Sequence, residues 1–342
     1  METASVKRCI ALYSGGLDSI LAIRLLERQS FEVAALYFCT PYFGLDALLD
    51  PEAFEEKAFK RYGVRVKVVD FTEDMAAIIR APRHGYGKHL NPCIDCKIGM
   101  LRRARGLLET ENASFVVTGE VVGQRPMSQR GQVMRLIERE SGLEDILLRP
   151  LCARLLPPTA PERAGIVDRA SLGGIRGRGR KVQMEMAREL GIAEHDMPSP
   201  AGGCLLTDEQ IARKAKITFD SLSPALPSRA DLLLDVVGRR FRLKEKTVLV
   251  VGRNEQENAL IARFVHPGNV FMRMRDVPSP LCILRGEVDA SCLETAAAVC
   301  LRYTKARGEP GHVVVHGERP DDLANEVAAP VVDEEFVRKL QD

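Results

Sequence analysis

Two stretches of the chain carry residue types that could do chemistry. The first is "SGGLDS" at 14–19, with hydroxyls on Ser14 and Ser19, bare backbone at Gly15 and Gly16, and a carboxylate on Asp18. Glycine lets backbone N–H groups approach an anion closely, and a helix N-terminus adds unpaired donors and a positive dipole end. An aspartate beside phosphates is repulsive unless a cation lies between them, so Asp18 points to Mg2+. The second stretch is a set of thiols. Cys93 and Cys96 form a C-x-x-C in "NPCIDCKIGM", read as a turn just before a helix, and Cys204 sits on the glycine turn of "SPAGGCLLTD". Two thiols at this spacing bind a metal, form a redox pair or do neither, and a helix N-terminus lowers a thiol pKa. There is no second C-x-x-C, so paired motifs cannot build a four-cysteine zinc site. Three thiolates leave one coordination position open, which suits a [4Fe–4S] cluster with one exposed iron. The same set suits a persulfide on one cysteine with a resolving thiol on another. A structural Zn2+ completed by His195 is the third reading.

These residues need a scaffold. "CIALYS" (9–14) is a short apolar run ended by Gly-Gly, which predicts a buried strand, and "SILAIRLLERQ" (19–29) predicts a helix after it. "FEVAALYF" (31–38), "VRVKVVDF" (64–71), "SFVVTGE" (114–120) and "DILLRPL" (145–151) predict four more strands. Helices are expected at 51–63, with Pro near the start and Gly after the end, at "TEDMAAIIR" and at 97–109. Strands alternating with helices give an α/β fold, a parallel sheet with helices on both faces, and ligands bind such sheets at the C-terminal ends of the strands. "LLPPTAPERAG" reads as a loop, "GRKVQMEMARELGI" as a helix, and the segment after Cys204 as a helix capped near Thr207 or Asp208. The Pro- and Ser-rich run 220–232 reads as a linker or domain boundary. Beyond it mixed strands and helices form a C-terminal α+β domain, and 320–342 reads as a peripheral tail with one short helix. The expected organisation is therefore 1–165, a nucleotide-binding domain; 166–222, a helical extension carrying Cys204; and 230–342, the α+β domain.

The chain has 342 residues, nine cysteines and a net charge of +2. No apolar run is long enough for a membrane span, and the first residues lack the continuous apolar core of a signal peptide. A cytoplasmic protein with no membrane partner is expected, in which clustered thiols serve metal or catalysis rather than disulfides. The even balance of charge hides three basic runs: "LRRAR" (101–105), "GGIRGRGRK" (173–181) with four cations and no acid, and "GRRFRLKEK" (238–246) with five cations and one acid. Each is a solvated face or a phosphate-binding patch.

"SGGLDS" is not a Walker motif, which needs Gly-Lys-Ser/Thr. It resembles the PP-loop, SGGxDS, of the ATP pyrophosphatases. "VTGEVVGQRPMSQ" (117–129) resembles the second motif of the ThiI-type tRNA 4-thiouridine synthases, through Thr118, Gly119, Glu120, Gly123, Gln124, Ser128 and Gln129, and "RPL" (149–151) fits as well. "NPCIDC" resembles the cysteine segment of the MnmA-like tRNA 2-thiouridylases. Together these resemblances span roughly 8–205. They imply an adenine-nucleotide α-hydrolase-like fold and an ATP-dependent tRNA sulfurtransferase that adenylates a uridine carbonyl, releases pyrophosphate and then transfers sulfur. ATP and Mg2+ would be held by Ser14, Gly15, Gly16, Asp18, Ser19, Thr118, Gly119, Gln124 and Ser128. Asp18, Cys93, Cys96 and Cys204 would be catalytic, and the three cysteines would also hold the metal. tRNA or another RNA, and a cysteine desulfurase or other sulfur donor, are the implied partners. The residues before the PP-loop leave no room for a THUMP domain, and no rhodanese-like extension is evident. "VLVVGRNEQENALIARFV", "RMRDVPSP" and "ETAAAVCLRYTKARG" resemble the RNA-binding module of the NFACT family, with Arg253, Asn254, Asn258 and Arg275 at its motif positions. Two other activities fit part of the pattern: a PP-loop synthetase or amidotransferase acting on a small molecule, and a non-catalytic RNA-binding or sulfur-trafficking protein.

Overall fold

The computed structural model describes residues 7–198, 203–263, 268–317 and 325–341. The chain divides into two compact units, Met1–Thr207 and Asp208–Asp342. The first contains β1 (Arg8–Leu12), α1 (Leu17–Glu27), β2 (Glu32–Cys39), α2 (Leu45–Leu49), α3 (Pro51–Tyr62), β3 (Val66–Asp70), α4 (Thr72–Arg80), α5 (Cys93–Gly106), β4 (Val116–Thr118), α6 (Gly131–Ser141), β5 (Leu147–Leu148), α7 (Ala160–Arg163) and α8 (Lys181–Glu189). The strands form one parallel sheet in the order β3-β2-β1-β4-β5. The order reverses between β1 and β4, and that switch point opens a crevice at the carboxyl ends of the strands. β1 leads directly into "SGGLDS", so the loop lies at the crevice.

Local chemistry explains these elements. α1 is apolar on nearly all sides, and Ile20, Leu21, Ala22, Ile23 and Leu26 are essentially inaccessible to solvent because the core, with Ala187 of α8, covers them. α3 starts on Pro51, its N-cap Asp50 accepts from the Ala53 amide at 3.1 Å, and Gly63 ends it at φ 61°. α5 begins four residues before the expected helix. The Cys96 amide closes the first turn onto the Pro92 carbonyl at 2.9 Å, so the C-x-x-C forms that turn instead of preceding it. α6 and α2 were not expected, and α7 forms inside the expected loop through a Thr159–Glu162 capping box.

The second unit contains α9 (Glu209–Ser221), α10 (Arg229–Val236), β6 (Arg239–Lys244), β7 (Thr247–Val251), α11 (Glu255–Ile261), β8 (Asn269–Met274), β9 (Cys282–Gly286), α12 (Ala290–Arg302), β10 (Gly311–His316), β11 (Asn325–Ala329) and α13 (Glu334–Leu340). Its sheet is antiparallel throughout, in the order β11-β10-β8-β9-β7-β6. α12 lays Cys292, Ala296, Ala297, Cys300 and Leu301 on one face of it. Two expectations change here. Run 220–232 is the connection from α9 to α10 within one unit; the unit boundary falls at 207/208, so α9 separates from the segment that carries Cys204. A buried network holds it there: the Thr218 hydroxyl donates to Asp235 at 2.6 Å, and Arg240 donates to both, at 2.7 and 2.6 Å. The expected tail supplies β11, which pairs with β10 from Ala329↔Gly311 to Asn325↔Val315. No helix of the described residues is long and apolar enough to cross a membrane.

Candidate active site

The loop holds itself open through its serines. The Ser14 amide donates to Ser19 Oγ at 3.2 Å, the Ser19 hydroxyl donates to the Gly16 carbonyl at 2.7 Å, and the Gly16 amide reaches Ser14 Oγ at 3.4 Å. Gly15 has φ 72°, a region that favours glycine, and a side chain there would meet no neighbouring atom within 4 Å. Gly16 is the N-cap of α1 and offers no side-chain cap, so the first amides of an eleven-residue helix stay available to an anion.

The segment after β4 forms the other wall of the crevice. Thr118 is buried, and its hydroxyl donates to Glu120 Oε2 at 3.2 Å, so it supports this wall from within. Gly119 packs on the loop itself. A Cβ there would stand 2.5 Å from the Asp18 carbonyl carbon and the Ser19 nitrogen, and 2.6 Å from the Asp18 oxygen. Gln124 Nε2 donates to Asp18 Oδ2 at 2.9 Å, while the buried Oδ1 of Asp18 has no hydrogen-bond partner among the described residues. A buried carboxylate oxygen without a donor is costly, and such an oxygen is of the hard type that divalent cations take. Ser128 is buried in the turn that closes on Gly123, whose amide donates to the Gln129 carbonyl at 2.7 Å. The Gly119 contact makes a prediction. Backbone atoms cannot rotate away as a side chain does, so Gly119→Ala must shift the loop or the end of β4, at about 1–3 kcal/mol. ATP affinity, measured by calorimetric titration, should fall by about tenfold or more, whereas unchanged affinity would mean the loop does not depend on this contact.

The thiols gather behind the same wall. Cys93 and Cys96 lie on the first turn of α5, and the Cys204 turn is tied to two loops of this unit. The Leu205 amide donates to the Tyr42 carbonyl at 2.9 Å and the Leu90 amide to the Leu206 carbonyl at 3.3 Å. The Cys204 carbonyl accepts from the Thr207 hydroxyl at 2.8 Å. Burial, and then the neighbouring Cys204 and Cys93, push the Cys96 thiol well above its ordinary range. Burial, then Cys93, raises Cys204 to about 11 despite a hydrogen bond from the Leu206 backbone. This reverses the expected helix-terminus effect at these two positions, because desolvation of a thiolate outweighs a partial dipole charge. The three thiols therefore sense one another. Among the described residues, however, no three His, Cys, Asp or Glu side chains are drawn together tightly enough to hold one metal ion. A single zinc needs its sulfurs within about 4 Å of each other, given Zn–S near 2.3 Å. A four-iron cluster takes each thiolate at a separate iron. His195, the expected fourth zinc ligand, is largely exposed on a turn beside Asp196, with Nε2 3.4 Å from Oδ2. Residues 199–202 of the glycine turn lie outside the described residues.

A buried ion network joins the two halves of the site. Glu120 accepts from Arg149 Nε at 3.0 Å and lies 3.7 Å from Lys97 Nζ, on the turn that carries the C-x-x-C. Arg149 also pairs with Glu138 of α6. Burial disfavours the Glu120 carboxylate, but Lys97 and Arg149 outweigh it and hold the carboxyl below its ordinary range. Lys97 and Arg149 were not among the expected site residues. One signal was present: a lone arginine closing the apolar strand run "ILLRPL" must find a buried partner.

The NFACT-like positions in the second unit serve its fold. Asn254 Oδ1 caps α11 through the Glu257 amide at 2.9 Å, and Asn258 Oδ1 accepts from the Leu281 amide at 3.1 Å. Arg253 pairs with Glu257 at 2.7 Å, and Arg275 with Asp276 and Glu326 at 2.9 and 2.7 Å. The basic run 238–246 is similarly occupied: Arg240 with Asp235, Lys244 with Asp289, Lys246 with Glu287, and Arg239 over the Tyr303 ring.

Residues 4–154 match the family model described as Thiamine biosynthesis protein (ThiI), and residues 238–339 the model described as NFACT protein RNA binding domain. Over 146 residues the chain is 30% identical to the probable tRNA sulfurtransferase of Geobacillus kaustophilus (strain HTA426), covering 42% of this chain and 34% of that one. It is 26% identical over 170 residues to the same-named protein of Geobacillus sp. (strain WCH70), covering 49% and 39%. The chain thus spans between a third and two fifths of the length of these curated relatives. A crystal structure of a 4-thiouridine synthetase–RNA complex with bound ATP aligns with a TM-score of 0.41 and 19% identity, over 59% of this chain and 46% of that chain. Cys204 lies beyond the ThiI match, and Asp18, Gly119, Gln124, Cys93 and Cys96 lie within it. The chain thus carries a region that matches the ThiI family model, residues 4–154, followed by one that matches the NFACT RNA-binding domain model, residues 238–339.

Proposed function

We propose that the chain is an ATP-dependent tRNA sulfurtransferase that activates a uridine carbonyl by adenylation and replaces its oxygen with sulfur. The observation that carries this reading is the meeting of two chemistries at Glu120. It follows Gly119, which packs on the ATP loop, and it pairs with Lys97, beside Cys96. ATP binds along 14–19, with its phosphates on the amides at the start of α1. Mg2+ held by Asp18 would neutralise the charge that builds up on the phosphates. Gln124 orients the Asp18 carboxylate for this. The uridine O4 (by the family; O2 is the other carbonyl) attacks the α-phosphorus, the bond to the β-phosphate oxygen breaks, and pyrophosphate leaves with the electron pair. A hydrosulfide or persulfide sulfur then attacks the activated carbon, the C–O bond breaks, and AMP departs. In the persulfide route a second cysteine attacks the cysteine-bound sulfur, leaving sulfur on the base and a cysteine disulfide that an external dithiol must reduce. A [4Fe–4S] cluster held by Cys93, Cys96 and Cys204 would instead supply sulfide at its open iron. A cysteine desulfurase or another donor renews the sulfur. The base must leave its stack or lie in a loop for its carbonyl to reach the crevice.

Changing Cys93, Cys96 or Cys204 to Ala tests the division of labour. Each variant should retain RNA-dependent pyrophosphate release and lose sulfur incorporation, read by mass spectrometry of digested nucleosides. Anaerobically purified wild type should carry iron and labile sulfide in about a 4:4 ratio, lost in each variant. Iron-free protein that still thiolates would assign the persulfide route. Normal thiolation by all three variants, or pyrophosphate release indifferent to RNA, contradicts the proposal.

A further inference from the structure

The Gly/Arg loop 173–181 meets the ATP site through the backbone. Arg176 forms a parallel bridge with Val122, and the Gly177 amide donates to the Val122 carbonyl at 2.8 Å. Val122 precedes Gly123 and Gln124, and Gln124 is the residue that grips Asp18. Val122 and Gln124 are two residues apart across the Gly123 turn, so their Cα atoms lie within about 7 Å, a distance an arginine stem covers. The loop therefore delivers its cations to the mouth of the crevice.

Three features set this loop apart from the basic run 238–246. Arg176, Arg178 and Lys181 are exposed, and no side-chain hydrogen bond or ion pair engages them among the described residues, whereas the cations of 238–246 are paired. Arg180 is held apart, donating to the Pro198 carbonyl at 3.0 Å. The loop contains no acid. Gly179 has no positive φ, and a Cβ there would touch nothing within 4 Å, so the fold itself does not require glycine at that position. Exposed bare backbone at Gly179, next to the unpaired Arg178 and three residues from the unpaired Arg176, leaves room for an anion beside the two guanidinium groups.

We infer that Arg176 and Arg178, with the open backbone at Gly179, form a phosphate clamp at the mouth of the ATP crevice. This inference rests on the proposed reaction for its ligands, which are the phosphodiesters flanking the target uridine or the outer phosphates of ATP. Both present the same non-bridging phosphate oxygens to the guanidinium forks.

The test uses the full chain, an Arg176→Gln/Arg178→Gln double variant and a Gly179→Glu variant. The probes are an unmodified tRNA transcript bound at several KCl concentrations and MgATP titrated without RNA. Arg176, Arg178 and Gly179 are exposed, so both variants should melt as wild type does. For an RNA clamp, the slope of log affinity against log salt should flatten by about 1.4–1.8 in the double variant, at 0.7–0.9 per lost contact, and Gly179→Glu should weaken RNA binding. An unchanged salt slope with about tenfold weaker MgATP binding would place the clamp on the triphosphate. If neither probe changes in either variant, the loop is a solvated surface and the clamp is overturned. Wild type that binds both probes with the expected variant effects but never thiolates would refute the proposed reaction and leave the clamp standing. Wild type that binds neither refutes both.

Discussion

Asp18→Asn should lower RNA-dependent pyrophosphate release by on the order of 10²–10³, because in the proposed reaction it removes the charge that would hold a metal against the transferring phosphate. Asn retains an oxygen that can accept from Gln124 Nε2, now 2.9 Å from Asp18 Oδ2, so the loop geometry should survive. The substitution also removes a buried, unpartnered carboxylate oxygen. Melting temperature should therefore hold or rise slightly while activity falls. This combination separates a charge used in chemistry from one used in folding. Near-normal pyrophosphate release in Asp18→Asn would remove Asp18 from the reaction.

The second large effect concerns stability. Arg149 is 1% exposed and bridges Glu120 and Glu138. Arg149→Ala strands two carboxylates, one of them fully buried, and should cost about 3–5 kcal/mol, a large share of the 5–15 kcal/mol typical of a folded domain. Adding Glu120→Gln to Arg149→Met removes the fully buried carboxylate and should recover part of the loss, the remainder reflecting Glu138 and Lys97, which lose their partners. Denaturant melts of the two variants check this. The network also sets an acid limit. Glu120 is held below its ordinary value of 4.5. Its contribution is therefore present above the unfolded value and lost as pH falls through the lower folded value. Stability of the first unit should decline in acid below about pH 4.5, and Glu120→Gln should flatten that decline. Equal pH slopes in wild type and variant would show that the pair contributes nothing to acid stability.

The ATP loop was legible because everything that shapes it is local. A strand ends on two glycines, a helix begins without a side-chain cap, and the serines that brace the loop are five residues apart. The order of the sheet was legible only as a class, since β4 and β5 keep three and two residues as paired strand inside longer apolar runs. The C-x-x-C was found but placed one turn too early, before the helix instead of in its first turn, which the Cys96 amide closes onto the Pro92 carbonyl. What escaped was long-range and polar. Lys97 meets Glu120, and Arg149 reaches back to α6, with nothing in local periodicity to mark either pairing. The unit boundary escaped for the same reason. The Pro-rich run looked like a linker, but Thr218, Asp235 and Arg240 tie its two flanks together. The helix-terminus argument for reactive thiols failed at Cys96 and Cys204 because it weighed a dipole without the burial that opposes it.

The central claim is that activation and sulfur insertion occur at one site on RNA. Activation and insertion are read together in an anaerobic single-turnover reaction of the full chain with MgATP and an unmodified tRNA transcript, run in parallel with sulfide and with a cysteine desulfurase plus cysteine as the persulfide source. AMP, pyrophosphate and thiolated uridine are quantified from the same samples. The account predicts equal amounts of AMP, pyrophosphate and thiouridine, all dependent on RNA, with the sulfur source the enzyme uses. ADP in place of AMP, or AMP and pyrophosphate formed at full rate while the tRNA gains no sulfur from either source, would contradict it.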